Sequence, residues 1–117
     1  MEWTPVLLDL RSHTDFAIGH LPGAINIPLS SLQASDVSPY EDSALLETQW
    51  VELECLFGGG EPGAEKWRDF EGRHAVLVCY GGDTAKVASS VLRARGVEAV
   101  SVRGGMAGIA RWKQARS

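Results

Sequence analysis

The sequence predicts an α/β domain whose mainly parallel β-sheet is flanked by helices on both faces. Three short segments carry aliphatic residues on both sides of the chain rather than in alternation: Val6–Asp9, Ala75–Cys79 and Ala99–Val102. This pattern is typical of parallel strands that are covered from above and below. Helical patterns lie between the segments, and strands that alternate with helices favour a parallel sheet. The 117 residues suffice for one domain core and not for two.

The elements of the first half have distinct signals. After the first strand, Ser12–Gly19 is a short helix candidate that Gly19 ends. Ala24–Pro28 is a fourth strand candidate, closed by a proline that lacks a backbone donor. In Ser43–Phe57, leucine and tryptophan recur at about the 3.6-residue helical period, which predicts a helix. The glycine-rich run Gly58–Gly63 then predicts a loop.

The second half contains the clearest helix, Thr84–Arg95, whose apolar residues form one stripe: Val87, Ala88, Val91 and Leu92. Gly96 follows two basic residues and is a typical helix stop. A last helix is predicted over Gly105–Ala115. Ligands bind at the carboxyl ends of the strands in such sheets, and Cys79 lies at one of those ends.

Composition narrows the function. The net charge is −4, with acids and bases interspersed, so we expect neither nucleic acid nor an anionic membrane surface as a partner. No apolar run approaches the ~20 residues of a membrane-spanning helix. The two cysteines, Cys55 and Cys79, are far apart and form no CxxC pair. Together with scattered histidines, this predicts a reducing, cytoplasmic location and no metal site.

The segment Val76–Ala85 is the strongest candidate for chemistry. It runs from a strand into a helix, and Gly81 and Gly82 follow Cys79 closely. Glycines let the loop curl so that its N–H groups point inward as an anion-binding nest, to which the helix start adds further donors. We therefore expect Cys79 to be a reactive thiolate with a pKa below about 8.5, needing no histidine base. The alternative is a small hydrophobic residue that ends a buried strand.

Two further signatures flank this loop. Residues 8–28 contain D-x-R, then an acid and an aromatic residue, then G-H-x-x-G-A-x-N-I-P, and Val102–Gly105 stands with Trp112 near the end. In this order the three signatures resemble the rhodanese family of sulfurtransferases over nearly the whole chain. The resemblance implies one domain over 1–117, an α/β sandwich with about five parallel strands, and no cofactor.

The same resemblance implies the chemistry. The cysteine, Cys79, takes a sulfane sulfur from a small donor, becomes a persulfide, and passes the sulfur to a thiol or a cyanide-like acceptor. The resemblance also implies a substrate- or anion-binding loop after it: Tyr80, Gly81, Gly82, Asp83, Thr84 and Ala85. This C-x-x-G-x-T-A pattern is similar to that of the thiosulfate and mercaptopyruvate sulfurtransferases. Asp83 is acidic where those enzymes help to hold an anionic donor, so we expect poor use of thiosulfate unless Asp83 points outward as a helix cap.

Three charged residues at or just after strand ends are candidates for the mouth of the site: Asp9, Arg11 and Arg103. For Asp9 and Arg11 a structural role is the favoured alternative, with Arg11 paired to Asp15. We expect His20 to be hydrogen-bonded in a turn and Cys55 to fill the core on an apolar helix face.

Two other functions compete with catalysis of sulfur transfer. Residues 33–70 exceed the family's usual connection, and the sequence enters its first strand almost at once, which hints at a domain of a larger protein. A regulatory or non-catalytic module, which docks a partner protein or neighbouring domain or senses oxidants, is therefore the alternative. A cysteine phosphatase or arsenate reductase is disfavoured because Ala85 stands where a C-x5-R loop has the arginine that contacts phosphate.

Overall fold

A computed structural model describes residues 5–32, 38–57 and 73–116, with only the backbone described for 111–116. Its centre is a wholly parallel four-stranded sheet in the order β2-β1-β3-β4. The strands are β1 (Pro5–Asp9), β2 (Ile25–Asn26), β3 (His74–Val78) and β4 (Glu98–Ser101). The helices are α1 (His13–Ile18), α2 (Ser43–Phe57), α3 (Asp83–Ala94) and α4 (Gly105–Arg116).

The predicted fold class is confirmed: a parallel sheet flanked by helices, with each predicted element within the described residues present. The resemblance implied about five strands, and the described part of the chain has four. The predicted loop Gly58–Gly63 and the rest of 58–70 lie outside the described residues. Within the described part, no helix is long and apolar enough to cross a membrane.

The strand order creates a switch point between β1 and β3. From β1 the chain first adds β2 on one side, then crosses over through α2 and adds β3 and β4 on the other. The carboxyl ends of the two central strands are level, because Asp9 pairs with Val78 in the register. Open α/β sheets bind ligands in the crevice at such a point, and the residue that follows β3 is Cys79.

The core lies between one face of the sheet and the helices α2 and α3. Alternate strand residues such as Leu8 and Leu77 are fully buried on this face. Burial of a leucine side chain contributes about 1.5–3 kcal/mol, so this layer stabilises the sheet that carries the site. The other face is less covered within the described residues, and Val100 on it is 57% exposed.

Candidate active site

Cys79 stands at the end of a central strand with its sulfur inside a curled loop. Its Sγ accepts hydrogen bonds from the backbone N–H groups of Gly82, at 3.1 Å, and Ala85, at 3.3 Å. The cysteine is only 1% exposed, so the loop closes over the sulfur. The nest expected from the glycines and the helix start is therefore present, and the cysteine sulfur lies within it.

Only the second of the two loop glycines needs the conformational freedom of glycine. Gly82 is the N-cap of α3 and has φ +105°, a left-handed conformation that other residues rarely adopt. Gly81 is exposed, and a side chain there would meet no atom within 4 Å. The curl of the loop around the sulfur thus depends on Gly82.

The pKa of Cys79 is shifted in the direction opposite to the one that the sequence predicted. Burial raises the pKa of this thiol, and the weaker opposing effect comes from the backbone N–H groups of Ala85, Gly82, Gly81 and Thr84. The prediction of a pKa below the ordinary thiol value is therefore wrong for the closed loop. The physical reason is that the loop which supplies the N–H groups also removes water from the sulfur.

The outer side of the loop is held by the start of α4. The Met106 N–H donates to the Cys79 carbonyl at 2.9 Å, and the Ala107 N–H donates to the Tyr80 carbonyl at 3.1 Å. The first N–H groups of a helix have no partner within the helix, so these bonds satisfy donors and acceptors together. The loop therefore lies between two helix starts, those of α3 and α4.

Tyr80 ties the loop to α1 through its hydroxyl group. This hydroxyl donates a short hydrogen bond to the Asp15 carboxylate and lies 3.4 Å from the Ser12 hydroxyl. Ser12 also caps α1 by accepting from the Asp15 N–H. The hydrogen bonds from Tyr80 and Ser12 lower the pKa of Asp15. The Tyr80 side chain is thus engaged by α1, in a role that the sequence did not indicate.

Thr84 is anchored by α2, the helix of the long connection. Its hydroxyl donates to the amide oxygen of Gln49 at 3.0 Å, and both residues are almost fully buried. Sequence reasoning missed this role for Gln49. A signal was present, because a glutamine on the apolar side of a helix is buried only when it has a specific partner.

Asp9 and Arg11 bind each other at the carboxyl end of β1. The Arg11 guanidinium donates to both oxygens of the Asp9 carboxylate at 2.9–3.2 Å, and to the Gly19 carbonyl at 2.7 Å. Their side chains are 2% and 9% exposed. These bonds favour the structural role, and the partner of Arg11 is Asp9 rather than the expected Asp15. Asn26 also holds this segment in place by donating to the backbone carbonyls of Asp9 and Arg11.

Residues 1–112 match the family model described as the rhodanese-like domain. The chain belongs to the rhodanese-like domain family. This agrees with the fold, the loop and the order of the sequence signatures.

Relatives of the family include longer and shorter proteins. The chain is 30% identical over 112 residues to a tRNA 2-selenouridine synthase of Sulfurovum sp. (strain NBC37-1). This match covers 91% of the chain and 31% of that protein. It is 28% identical over 90 residues to the human thiosulfate:glutathione sulfurtransferase, covering 77% of the chain and 64% of that protein. The chain thus spans 27–31% of the length of the selenouridine synthases it matches.

A solved structure of a human single-domain sulfurtransferase is similar at a TM-score of 0.52 and 27% identity, covering 92% of this chain and 81% of that one. A rhodanese-like domain protein from Staphylococcus aureus has a TM-score of 0.52 at 22% identity, over 90% of this chain and 74% of that one, which supports the fold alone.

The remaining predicted residues lie as follows in this rhodanese-like domain. Ala85 is fully buried, and its backbone N–H donates to the Cys79 sulfur. Asp83 is the first residue of α3, but Gly82 is the N-cap and no side chain caps the helix. The suggestion that Asp83 caps the helix is therefore wrong, although its charge still suits the helix start. Arg103 is exposed and directly precedes the Gly104-Gly105 pair that packs on the loop.

The two lesser predictions have opposite outcomes. His20 bonds the Phe16 carbonyl through Nδ1 at 2.8 Å and stacks on the Phe16 ring, so its structural role is confirmed. Cys55 is exposed on α2, so the prediction that it fills the core is wrong. The side chain of Trp112 lies outside the described part of the chain. Among the described residues, no group of three or more acidic, histidine or cysteine side chains is placed to hold a metal.

Proposed function

We propose that this chain is a sulfurtransferase that carries a sulfane sulfur as a persulfide on Cys79. The observation that carries the proposal is the sulfur of Cys79 at the switch point of the sheet, faced by backbone N–H groups of its own loop. Donors fixed in a water-poor site stabilise negative charge without reorganising, which suits both a thiolate and a persulfide anion. Family membership and the human sulfurtransferase relatives support this chemistry.

The transfer proceeds in two displacement steps. The loop first opens to admit solvent and the donor, because Cys79 is 1% exposed when the loop is closed. The thiol of Cys79 then loses its proton to solvent, and the thiolate attacks the transferable sulfur of the donor. The bond between that sulfur and the rest of the donor breaks, and the donor remnant leaves with the electron pair, as sulfite if the donor is thiosulfate. An acceptor thiolate or cyanide then attacks the outer sulfur of the persulfide, and Cys79 leaves as a thiolate. No net oxidant or reductant is needed in either step.

The charges on the loop limit which sulfur donors the site accepts. The C-x-x-G-x-T-A pattern supports a donor of the thiosulfate or mercaptopyruvate type, or a low-molecular-weight persulfide. Asp83 is half-buried at the start of α3, four residues after Cys79, and repels a dianion. Arg103 is an exposed cation that directly precedes the Gly104-Gly105 pair packed on the loop. We therefore expect thiosulfate to load sulfur more slowly than the singly charged donors.

The acceptor is a thiol in a small molecule or in a protein, including a neighbouring domain, and the reaction takes place in the cytoplasm. Neither nucleic acid nor a membrane is a partner in this proposal. The net charge of −4 supports both exclusions.

Intact-mass spectrometry after incubation with a donor tests the proposal directly. Wild type and Cys55→Ser are expected to gain one sulfur atom from mercaptopyruvate or a persulfide, and to lose it on addition of cyanide. Cys79→Ser is expected to gain none. Cys55→Ser is the matched control because Cys55 is the other cysteine and is exposed. A sulfur gain that persists in Cys79→Ser would refute the assignment of the nucleophile.

The alternative function is a non-catalytic or regulatory module of a larger protein, which binds a partner or senses oxidants. Two observations favour considering it: Cys79 is 1% exposed, and the selenouridine synthases that match are about three times longer than the chain. If no donor adds sulfur to folded wild type, the module is the better account.

A further inference from the structure

The start of α4 packs backbone against backbone on the loop that holds Cys79. A side-chain carbon at Gly105 would lie 2.5 Å from the Cys79 carbonyl oxygen, 2.7 Å from the Tyr80 carbonyl oxygen and 2.8 Å from the Gly82 nitrogen. These are main-chain atoms of the loop, which cannot rotate aside as a flexible side chain can. Gly105 also has φ +59°. Glycine is thus required at position 105 both by the close approach to the loop and by the positive φ. Only the close approach concerns the active site.

The contact is made by glycines on both sides. A side-chain carbon at Gly82 would lie 2.9 Å from the Gly104 nitrogen and 3.3 Å from the Gly105 nitrogen. Because neither side carries a side chain, the first N–H groups of α4 reach the loop carbonyls at hydrogen-bonding distance. The Gly104-Gly105 pair therefore forms one wall of the active-site loop.

These hydrogen bonds determine where the loop's own N–H groups point. In a trans peptide the carbonyl and the following N–H point in opposite directions, and the described residues contain no cis peptide bond. The Tyr80 carbonyl is bonded to α4, so the N–H of the same peptide unit, that of Gly81, faces away from α4. It is one of the four N–H groups that act on the sulfur of Cys79.

We propose that Gly105 is a positioning residue for Cys79: its lack of a side chain lets α4 hold the loop closed, with the loop's N–H groups directed at the sulfur. The consequence for sulfur transfer rests on the proposed function. The consequence for the thiol itself does not, and can be measured without any donor.

Gly105→Ala tests the proposal, with Gly96→Ala as its control. Gly96 has φ +84°, so alanine is similarly strained there, but a side chain at that position would meet no atom within 4 Å. The rate of alkylation of Cys79 by iodoacetamide is measured across pH in a Cys55→Ser background, and urea unfolding confirms that each variant is folded. The ionisable loop residues Tyr80 and Asp83 are unchanged in both variants.

In Gly105→Ala we expect the midpoint of the alkylation profile to move to lower pH, so that Cys79 is alkylated faster than in wild type at a fixed pH below the wild-type midpoint. The reason is that displacement of the loop exposes the sulfur, and burial is the largest influence on its pKa. Gly96→Ala should keep the wild-type profile while losing stability. An unchanged profile in folded Gly105→Ala would overturn the proposal.

A second pair of variants covers the case in which Gly105→Ala does not fold. Met106→Pro removes the N–H that bonds the Cys79 carbonyl, and proline is tolerated in the first turn of a helix. Met106→Leu keeps that N–H. We expect the profile to shift in Met106→Pro alone, and identical profiles in the two variants would count against the role of α4.

Sulfur loading separates this proposal from the proposed function. If wild type takes sulfur from no donor but the Gly105→Ala profile shifts, the positioning role stands and sulfur transfer fails. If wild type loads sulfur and the profiles of Gly105→Ala and Gly96→Ala agree, sulfur transfer stands and the positioning role fails.

Discussion

The buried hydrogen bond between Thr84 and Gln49 offers a quantitative test of how α2 supports the active-site loop. Thr84→Val keeps the shape of the side chain but removes the hydroxyl that donates to the Gln49 amide oxygen. Thr84 and Gln49 are 3% and 1% exposed, so water cannot replace the lost donor. A buried polar group left without its partner costs about 1–3 kcal/mol. We expect a loss of that size in the free energy of unfolding.

Thr48→Val is the matched control for this substitution. Thr48 lies on α2 beside Gln49, is exposed, and donates a hydrogen bond to the Ala44 carbonyl of its own helix. Its replacement should change stability by no more than about 0.5 kcal/mol. Urea unfolding measures both variants, and the Thr84→Val loss corresponds to a fall in Tm of about 3–6 °C for each kcal/mol in a domain of this size.

A double-mutant cycle assigns the loss to the pair itself. Gln49→Leu alone leaves the Thr84 hydroxyl without its acceptor, whereas Gln49→Leu combined with Thr84→Val leaves two apolar groups in contact. The double variant should therefore be more stable than the sum of the single losses predicts, by at least about 0.5 kcal/mol. Equal losses in Thr84→Val and Thr48→Val, or strictly additive losses in the cycle, would refute the reasoning.

Two further predictions concern charged groups. Arg11→Met leaves the buried Asp9 carboxylate without its cation and should cost about 3–5 kcal/mol in urea unfolding, whereas the exposed Arg103→Met should change stability by less than about 0.5 kcal/mol; similar losses in both would contradict a buried pair. Burial alone would raise the pKa of Glu52, but hydrogen bonds from the Ser30–Ser31 turn outweigh it and lower the pKa below its ordinary 4.5. The stability that the Glu52 carboxylate contributes is therefore present above about pH 4.5 and is lost as the pH falls through the lowered pKa. Glu52→Gln should remove this part of the acid sensitivity of unfolding. Identical profiles of stability against pH in wild type and Glu52→Gln would contradict this contribution.

Much of the fold was predictable because its signals are local. The helix Asp83–Ala94 follows from its apolar stripe and from the glycine after it, and β1, β3 and β4 follow from short aliphatic segments. The position of Cys79 at a strand end followed in the same way. The strand count implied by the resemblance was about five, and the described sheet has four.

The details of the site were less predictable because they depend on contacts between distant segments. The sequence could show that Cys79 is followed by donors, but not that the loop would exclude water and raise the pKa of the thiol. The burial of Gln49 and the exposure of Cys55, both on α2, depend on how that helix is rotated against α3. A weak helical period in the sequence leaves that rotation open.

The sequence by itself determined the parallel α/β class, the family signatures and the cysteine loop, since each is encoded by residues that are close along the chain. The tertiary structure alone decided that Asp9 and Arg11 neutralise each other, that Tyr80 is tied to α1, and that Gly105 lets α4 close the loop. These contacts join residues that the strand order and crossovers bring together. Their effects arise from burial, which exists only once the layers have packed.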